Sequence, residues 1–169
     1  MVEQAFKEGY SSNDITENAL TAAMDVVGNA FGAKKIFLPQ VMLSAEAMHE
    51  AFIKIKEVLP ADKIASRGTV VIATVKGDIH DLGKNIVAAL LENNGFKLID
   101  LGKDVDAEKI VRSAIENDAD VVGLCSLMTT TMAQIDKVIA SLKEAGSKAH
   151  VIVGGAVLTQ EYADSAGAD

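Results

Sequence analysis

The chain has 169 residues, of which 49% are hydrophobic, 24% charged and 4% aromatic, and its formal net charge is -8. Its basic residues are dispersed and it has no Trp, so we expect no nucleic-acid partner, because neither a phosphate-binding stripe nor a stacking platform is visible. One cysteine, no signal peptide and no long apolar run predict a reducing, cytoplasmic setting without a membrane segment.

The residues up to about Leu59 have helical periodicity throughout. Asp14-Ile15-Thr16-Glu17 resembles a capping box, and the helix that it begins is expected to end at Gly32. The predicted apolar face of this helix consists of Ile15, Ala19, Ala23, Val26 and Ala30. A second helix is predicted to begin near Pro39, with apolar residues every three or four positions, namely Val41, Ala45, Met48, Phe52, Ile55 and Leu59. This pattern predicts a small helical bundle over residues 1–59.

The remainder of the chain alternates between strand-like and helix-like stretches. Residues 60–68 are polar and contain Pro60 and Gly68, which predicts a linker. The predicted strands are residues 69–75, 97–101, 120–126 and 150–153, and the predicted helices include residues 86–91, 107–116 and 132–145. Repeated strand–helix units of this kind predict an α/β domain with a parallel sheet over residues 69–169.

The loop Lys76–Asn85, which follows the first predicted strand, has the features of a metal-ligand loop. An imidazole that binds a metal through one ring nitrogen usually needs a carboxylate on the other, and Asp78 is the candidate partner of His80. Gly77 and Gly83 bracket the pair, which fits a sharp turn and a close approach of backbone to a large ligand.

A simpler interpretation of the same loop is equally open from these residues alone. His80 and Asp81 could cap the helix that follows, with Asp78 as a solvated turn residue. A ligand of either kind should lie at the carboxyl ends of the strands. Neither Gly-x-Gly-x-x-Gly nor Gly-x-x-x-x-Gly-Lys follows the first strand, which argues against a dinucleotide or nucleoside triphosphate.

Three separated motifs carry a family resemblance: Asp78-x-His80-x-x-Gly83, the run Cys125–Met132, and Gly154-Gly155. In that order they resemble the cobalamin-binding domain of corrinoid proteins. Met24–Gly28 and Ile36–Pro39 are similar to the helical cap that precedes this domain in methyltransferase corrinoid subunits and in methionine synthase. The resemblance covers nearly the whole chain. The fold that it implies is a small helical-bundle cap followed by a Rossmann-like (flavodoxin-like), doubly wound parallel sheet.

The resemblance implies that cobalamin binds base-off, with His80 as the lower ligand of cobalt. Thr131 would then donate a hydrogen bond to Asp78, and Gly123, Gly154 and Gly155 would make room for the nucleotide tail. The expected cofactor-binding residues are Gly77, Asp78, Ile79, His80, Asp81, Leu82, Gly83, Cys125, Leu127, Thr129, Thr131, Gly154, Gly155, Met24, Phe37 and Leu38. Other roles remain open for some of them: tight turns for the glycines, helix capping for the threonines, and core packing for Met24, Phe37 and Leu38.

The chain departs from the family pattern in two respects. Cys125 stands where many members have Ser, which weakens or removes a hydrogen bond to the tail, and we expect it to be a small buried residue and not a nucleophile. Relatives carry more helix before the position of Val2 and continue past Asp169 with a strand and a helix, so we expect the chain to be trimmed at both ends.

The function implied by the resemblance is that of a methyl carrier, which is not an enzyme by itself. Cobalt would take a methyl group from a substrate and pass it to an acceptor, while the helical cap covers the methyl face between transfers. The implied partners are a substrate-specific methyltransferase, an acceptor methyltransferase and a reductive activase. The alternatives are a cobalamin-dependent regulator or light sensor, a mutase cobalamin-binding subunit, and a response-regulator-like switch without cobalamin.

Overall fold

The computed structural model describes residues 1–58 and 66–169. The chain divides into two compact units, and the second comprises Ser66–Glu92 and Phe96–Asp169. We call the described residues 1–58 the helical unit and the second unit the α/β unit. Leu59 and most of the predicted linker lie outside the described residues, and the predicted domain limits stay predictions. No helix in the described ranges is both long and apolar enough to cross a membrane.

The helical unit is built from four α-helices and one π-helical segment. These elements are α1 (Val2–Lys7), α2 (Ser12–Asp14), the π-helical segment Ile15–Thr21, α3 (Ala22–Gly32) and α4 (Leu38–Val58). The first three elements after α1 follow one another without a break, so the predicted helix ending at Gly32 is present.

The start and the apolar face of that helix differ from the sequence prediction. The capping box is formed by Ser11 and Asp14, where the Ser11 hydroxyl accepts from the Asp14 amide and the Asp14 carboxylate accepts from the Ser11 amide, both at 3.1 Å. The predicted box at 14–17 is therefore wrong by three residues. Ile15 is buried as predicted, but three other members of the predicted face are exposed, namely Ala19, Ala23 and Val26. A π-helix has more residues per turn than an α-helix, so it shifts the buried stripe away from 3.6-residue spacing.

The prediction for the second helix is confirmed over the described residues. Helix α4 begins at Leu38, and Pro39 lies in its first turn, where a missing N–H removes no helical hydrogen bond. The residues predicted to form its apolar face are buried or half-buried, namely Val41, Ala45, Met48, Phe52 and Ile55.

The α/β unit contains a four-stranded parallel sheet, as predicted. Its strands are β1 (Thr69–Thr74), β2 (Lys97–Asp100), β3 (Val121–Cys125) and β4 (His150–Gly154), in the spatial order β2-β1-β3-β4. Its helices are α5 (Leu82–Asn93), α6 (Ala107–Glu116), a 3-10 turn (Thr129–Thr131), α7 (Met132–Glu144) and α8 (Gln160–Ala166). The sequence analysis did not predict α8, whose N-cap is Thr159, with a side chain that accepts from the Tyr162 amide at 3.2 Å.

The strand order places two loops side by side at one edge of the sheet. The chain runs from β1 outward to β2 and then back across to β3, so the carboxyl ends of β1 and β3 flank the point where the order reverses. Thr74 and Cys125, the last residues of these strands, pair directly. We call residues 76–81 the His80 loop and residues 126–131 the β3 loop. Both loops follow strands that lie in a buried core. This core includes Val71, Ile72, Val122, Leu124, Ile110, Ile135 and Ile139.

Candidate functional site

Asp78 joins the His80 loop to the β3 loop through both of its carboxylate oxygens. Its side chain is fully buried. One oxygen, Oδ1, lies 2.7 Å from His80 Nδ1 and accepts the His80 amide at 3.0 Å. The other, Oδ2, accepts the amides of Leu127 at 2.6 Å and Met128 at 3.3 Å and lies 3.2 Å from the Thr131 hydroxyl. The interpretation of Asp78 as a solvated turn residue is therefore wrong, and the predicted contact between Thr131 and Asp78 is confirmed.

The hydrogen bonds to Asp78 keep its carboxyl group ionised. Burial by itself raises the pKa of Asp78, but the amides of His80 and Leu127 and the His80 ring together outweigh it and hold the pKa well below its ordinary value. An ionised carboxylate accepts from Nδ1–H, which leaves the lone pair of Nε2 free for a metal. The His80 side chain is 49% exposed, so a ligand can reach the imidazole.

Ser126 extends the network and was not among the predicted site residues. Its hydroxyl lies 2.7 Å from the Thr131 hydroxyl, and both side chains are buried. The Thr131 hydroxyl also lies 2.9 Å from the Met128 carbonyl oxygen. Because this hydroxyl has one proton for two acceptors, Asp78 Oδ2 and the Met128 carbonyl, a second hydroxyl such as that of Ser126 is needed to satisfy both. The only sequence signal for Ser126 is its place between Cys125 and Leu127. Thr129, a predicted site residue, is exposed in the 3-10 turn.

Apolar side chains are exposed beside the accessible imidazole. In the His80 loop Ile79 is 65% exposed, Leu82 follows the loop at 75%, and Leu127 in the β3 loop is 40% exposed. A Cβ added to Gly83 would meet nothing within 4 Å. Exposed apolar groups beside a partly exposed imidazole suit a large ligand with an apolar rim.

The three glycines predicted to make room for a ligand differ in what surrounds them. A Cβ on Gly155 would lie 1.7 Å from the Ser126 carbonyl oxygen, and one on Gly123 would lie 3.1 Å from Ile72 Cγ1. Contacts inside the protein therefore explain these two glycines, and for Gly155, with φ of 152°, they support the tight-turn interpretation. A Cβ on Gly154 would meet nothing within 4 Å, so this position leaves open space at the end of β4.

Two further polar side chains lie near the site, Cys125 at the end of β3 and Lys84 in the first turn of α5. Cys125 is half-buried and not fully buried as predicted. Desolvation raises the pKa of its thiol to about 11, so the thiol is neutral, which agrees with the prediction that it is not a nucleophile. Lys84, which sequence reasoning missed, is 2% exposed, and its ammonium lies 2.5 Å from Asp100 Oδ2 and 2.7 Å from Asn85 Oδ1. No pattern distinguishes this lysine from a surface lysine at the start of an amphipathic helix.

The predicted site residues of the helical unit do not come together. Met24 lines an open apolar cavity of about 700 Å³, with other lining residues that include Tyr10, Ile15, Leu20, Val27 and Met48. Phe37 is 68% exposed, which excludes the bundle-core role considered for it, and Leu38 is half-buried at the start of α4. Cofactor contacts for these three residues stay predictions.

Asp81 is the remaining predicted residue of the His80 loop, and its carboxylate lies 3.7 Å from Lys103 Nζ at the surface. Within the described ranges, 1–58 and 66–169, no group of three or more His, Cys, Asp or Glu side chains is placed to hold a metal ion. A metal at Nε2 of His80 would thus take its remaining ligands from a bound group, as a metal in a macrocycle does.

Comparison with known proteins gives matches along nearly the whole chain. Residues 68–169 match a family model described as "B12 binding domain", and residues 1–56 match a second model with the same description. Dimethylamine corrinoid protein 3 of Methanosarcina acetivorans is 44% identical over 170 residues, covering 99% of this chain and 79% of that protein. Trimethylamine corrinoid protein 1 of the same organism is 41% identical over 173 residues, covering 100% of this chain and 80% of that protein.

Solved structures agree with these matches. A cobalamin-binding protein from Desulfitobacterium hafniense superposes with a TM-score of 0.84 at 29% identity, covering 99% of this chain and 80% of that one. A chain of the methanol:cobalamin methyltransferase complex from Methanosarcina barkeri gives a TM-score of 0.67 at 38% identity, covering 90% of this chain and 58% of that one.

Proposed function

Because the chain belongs to the corrinoid proteins with B12-binding domains, we propose that it carries a methyl group between the methyltransferases of one system and does not catalyse the transfer alone. The single observation that carries the proposal is the buried Asp78 carboxylate, which holds His80 through Nδ1 while the His80 side chain remains 49% exposed. A corrin ring supplies the in-plane ligands of cobalt, so one imidazole is the donor set that the protein must add.

When bound, the cobalt of the corrinoid supplies the chemistry, since it accepts a methyl group from one molecule and releases it to another. The residues of this chain hold and orient the group. Asp78 fixes the tautomer and direction of the His80 imidazole, and Thr131 with Ser126 fixes Asp78.

The other site residues would contact the periphery of the corrinoid. Ile79, Leu82 and Leu127 offer apolar surface to the rim of the ring, and Gly154 leaves space for part of the tail. These side chains gain no charge and lose none when a ligand covers them, so their contribution is apolar area removed from water.

We propose a methylated amine as the methyl donor. The support is the identity to dimethylamine and trimethylamine corrinoid proteins, 44% and 41% over nearly the whole chain. The partners would then be an amine-specific methyltransferase, an acceptor methyltransferase and a reductive activase. One cysteine, with no disulfide in the described part of the chain, fits the reducing cytoplasm as the location.

The first experiment measures how the corrinoid is held. The apo-protein is mixed with hydroxocobalamin and gel-filtered, and the protein peak is examined by visible spectroscopy and, after one-electron reduction, by EPR, which detects an axial nitrogen on cobalt. We expect the wild type to retain cobalamin with a histidine nitrogen as axial ligand, and His80→Ala to lose that nitrogen signal. The matched control is His150→Ala, since His150 forms the other His–Asp pair of the α/β unit, 3.2 Å from Asp169, and is 71% exposed.

Retention of cobalamin without a histidine signal in the wild type would exclude the axial role of His80. A signal that is lost in both variants would mean that any His–Asp pair of this unit supports binding indirectly.

The second experiment tests the carrier role. The loaded and reduced protein is incubated with ¹⁴C-methyl-labelled dimethylamine, trimethylamine or methanol, with and without the corresponding purified methyltransferase. We expect label on the carrier peak only with the methyltransferase, and most with an amine. Labelling without any partner enzyme would show that the chain catalyses methyl uptake itself.

A further inference from the structure

The segment that follows β2 is hydrogen-bonded to the end of β1, directly before the His80 loop. The Val105 amide donates to the Thr74 carbonyl at 3.1 Å, and the Thr74 amide donates to the Gly102 carbonyl at 2.9 Å. Val75 and Val105 form a parallel bridge beyond the ends of the strands, and both are buried. The segment therefore has a fixed anchor directly beside the start of the His80 loop.

Asp104, just before that anchor, forms two hydrogen bonds with the turn that contains Asp78. Its carboxylate Oδ1 accepts the Gly77 amide at 2.8 Å, and its own amide donates to the Asp78 carbonyl at 3.0 Å. Asp104 thus binds the backbone on both sides of the peptide group that joins Gly77 to Asp78. It does so with φ of 55°, a left-handed conformation that Asp adopts more readily than most residues.

The charges around Asp104 support the same arrangement. The Lys76 ammonium lies 3.5 Å from Asp104 Oδ1, and the Gly77 amide, with Lys76, holds the pKa of Asp104 below its ordinary value against a smaller effect of burial. Gly77 has φ of 83°, a left-handed conformation, and a Cβ there would lie 3.3 Å from Thr131 Cγ2, so a larger residue would not fit in this turn without a shift of its neighbour.

We propose that Asp104 is a positioning residue of the His80 site. It acts through the backbone of Gly77 and Asp78, whose carboxylate is the group that orients the imidazole. Without the two hydrogen bonds with Asp104, the turn would sample other conformations, and the His80 imidazole would no longer have one fixed orientation towards its ligand. The inference rests on the proposed role of His80 as an axial ligand, and it assigns a role to a residue 24 positions further along the chain.

Four variants separate the geometry of Asp104 from its charge. Asp104→Asn keeps an acceptor oxygen at the same place without charge, and Asp104→Glu keeps the charge but moves the oxygens by one methylene. Asp104→Gly removes the side chain while tolerating the left-handed backbone. The matched control is Asp118→Gly, because Asp118 also has a positive φ, 46°, at the turn after α6.

We measure cobalamin affinity and the fraction of cobalt with an axial histidine nitrogen by EPR. Asp104→Gly and Asp104→Glu should lose about tenfold in affinity, the size expected for one hydrogen bond to a charged group. Their EPR nitrogen signal should fall in parallel. Asp104→Asn keeps a hydrogen bond to a neutral acceptor and should lose less than about fivefold, and Asp118→Gly should stay within about twofold of the wild type.

In the apo-protein, amide hydrogen exchange at Gly77 and His80 should accelerate in Asp104→Gly and Asp104→Glu only. Unchanged affinity, EPR and exchange in both variants would overturn the inference, and so would an Asn variant as impaired as the Glu variant. If Asp104→Gly does not fold, the comparison of Asn with Glu decides. Failure of the proposed function gives a different result, because the wild type would then lack the EPR nitrogen signal. Amide hydrogen exchange in the apo-protein would still test whether Asp104 holds the turn.

Discussion

The substitution Asp78→Asn replaces the carboxylate at the centre of the site with a neutral group of nearly the same shape. The wild-type carboxylate is buried and receives hydrogen bonds from the amides of His80, Leu127 and Met128 as well as from the His80 ring. Only one oxygen remains in the variant. If it stays near Leu127 and Met128, the new NH₂ group faces the His80 amide, which then has no acceptor.

The cost follows from the hydrogen bonds that are lost. A buried donor without an acceptor costs about 1–3 kcal/mol, and hydrogen bonds to a charged acceptor are stronger than those to a neutral one. We therefore expect Asp78→Asn to lower the free energy of unfolding of the apo-protein by about 3 kcal/mol at pH 7. The NH₂ group would donate to His80 Nδ1, which favours the tautomer with its proton on Nε2. A protonated Nε2 cannot bind a metal.

The assay is urea unfolding of the apo-proteins followed by circular dichroism at several pH values. A carboxyl group whose pKa is lower in the folded protein than in the unfolded chain adds stability above the unfolded pKa, about 3.9, and loses it as the pH falls towards the folded pKa. The pKa of Asp78 is lowered, so the difference between wild type and variant should be constant between about pH 5 and 8. It should shrink below about pH 4.

Asp81→Asn is the matched control, because Asp81 lies in the same loop but is 38% exposed and only 3.7 Å from Lys103. We expect it to change stability by less than about 0.5 kcal/mol. Equal urea midpoints for Asp78→Asn and the wild type at pH 7 would refute the reasoning. A difference that persisted undiminished in acid would show that packing, and not the charge of Asp78, causes the loss.

Three further predictions concern Lys84, in the first turn of α5, and the two glycines at the end of β4. Lys84→Met should lower the free energy of unfolding by about 2 kcal/mol, less than for a fully buried ion pair because Asp100 is 35% exposed, and adding Asp100→Asn should recover part of it in the same urea assay. Recovery of nothing would mean that the loss is one of packing. Gly155→Ala should cost about 3 kcal/mol, since its Cβ would collide with the Ser126 carbonyl. Gly154→Ala should leave stability within about 0.5 kcal/mol but weaken cobalamin binding several-fold, as measured by gel filtration; unchanged binding would exclude Gly154 from the ligand surface.

Local patterns in the chain were sufficient for most elements of the α/β unit. Helix α6 occupies the predicted residues, and each strand lies within about one residue of its prediction. A buried parallel strand is a run of apolar residues, and each run here is bounded by turn residues, so the signal is local. The helical unit was predicted less well, because a π-helical segment obeys a different periodicity and shifts the face after Ile15.

The sequence by itself was enough to identify Asp78 as the candidate partner of His80, because residues two apart in one turn can meet through local geometry. Only the tertiary structure decided what surrounds the pair. Asp104 contacts the turn from the segment after β2, and Lys84 is buried against Asp100, the last residue of β2. These contacts join residues far apart in the chain, and the distances between those residues depend on the spatial order of the strands in the sheet. Charge and polarity are alike in a buried and a surface lysine, so no local pattern reveals burial before the sheet is formed.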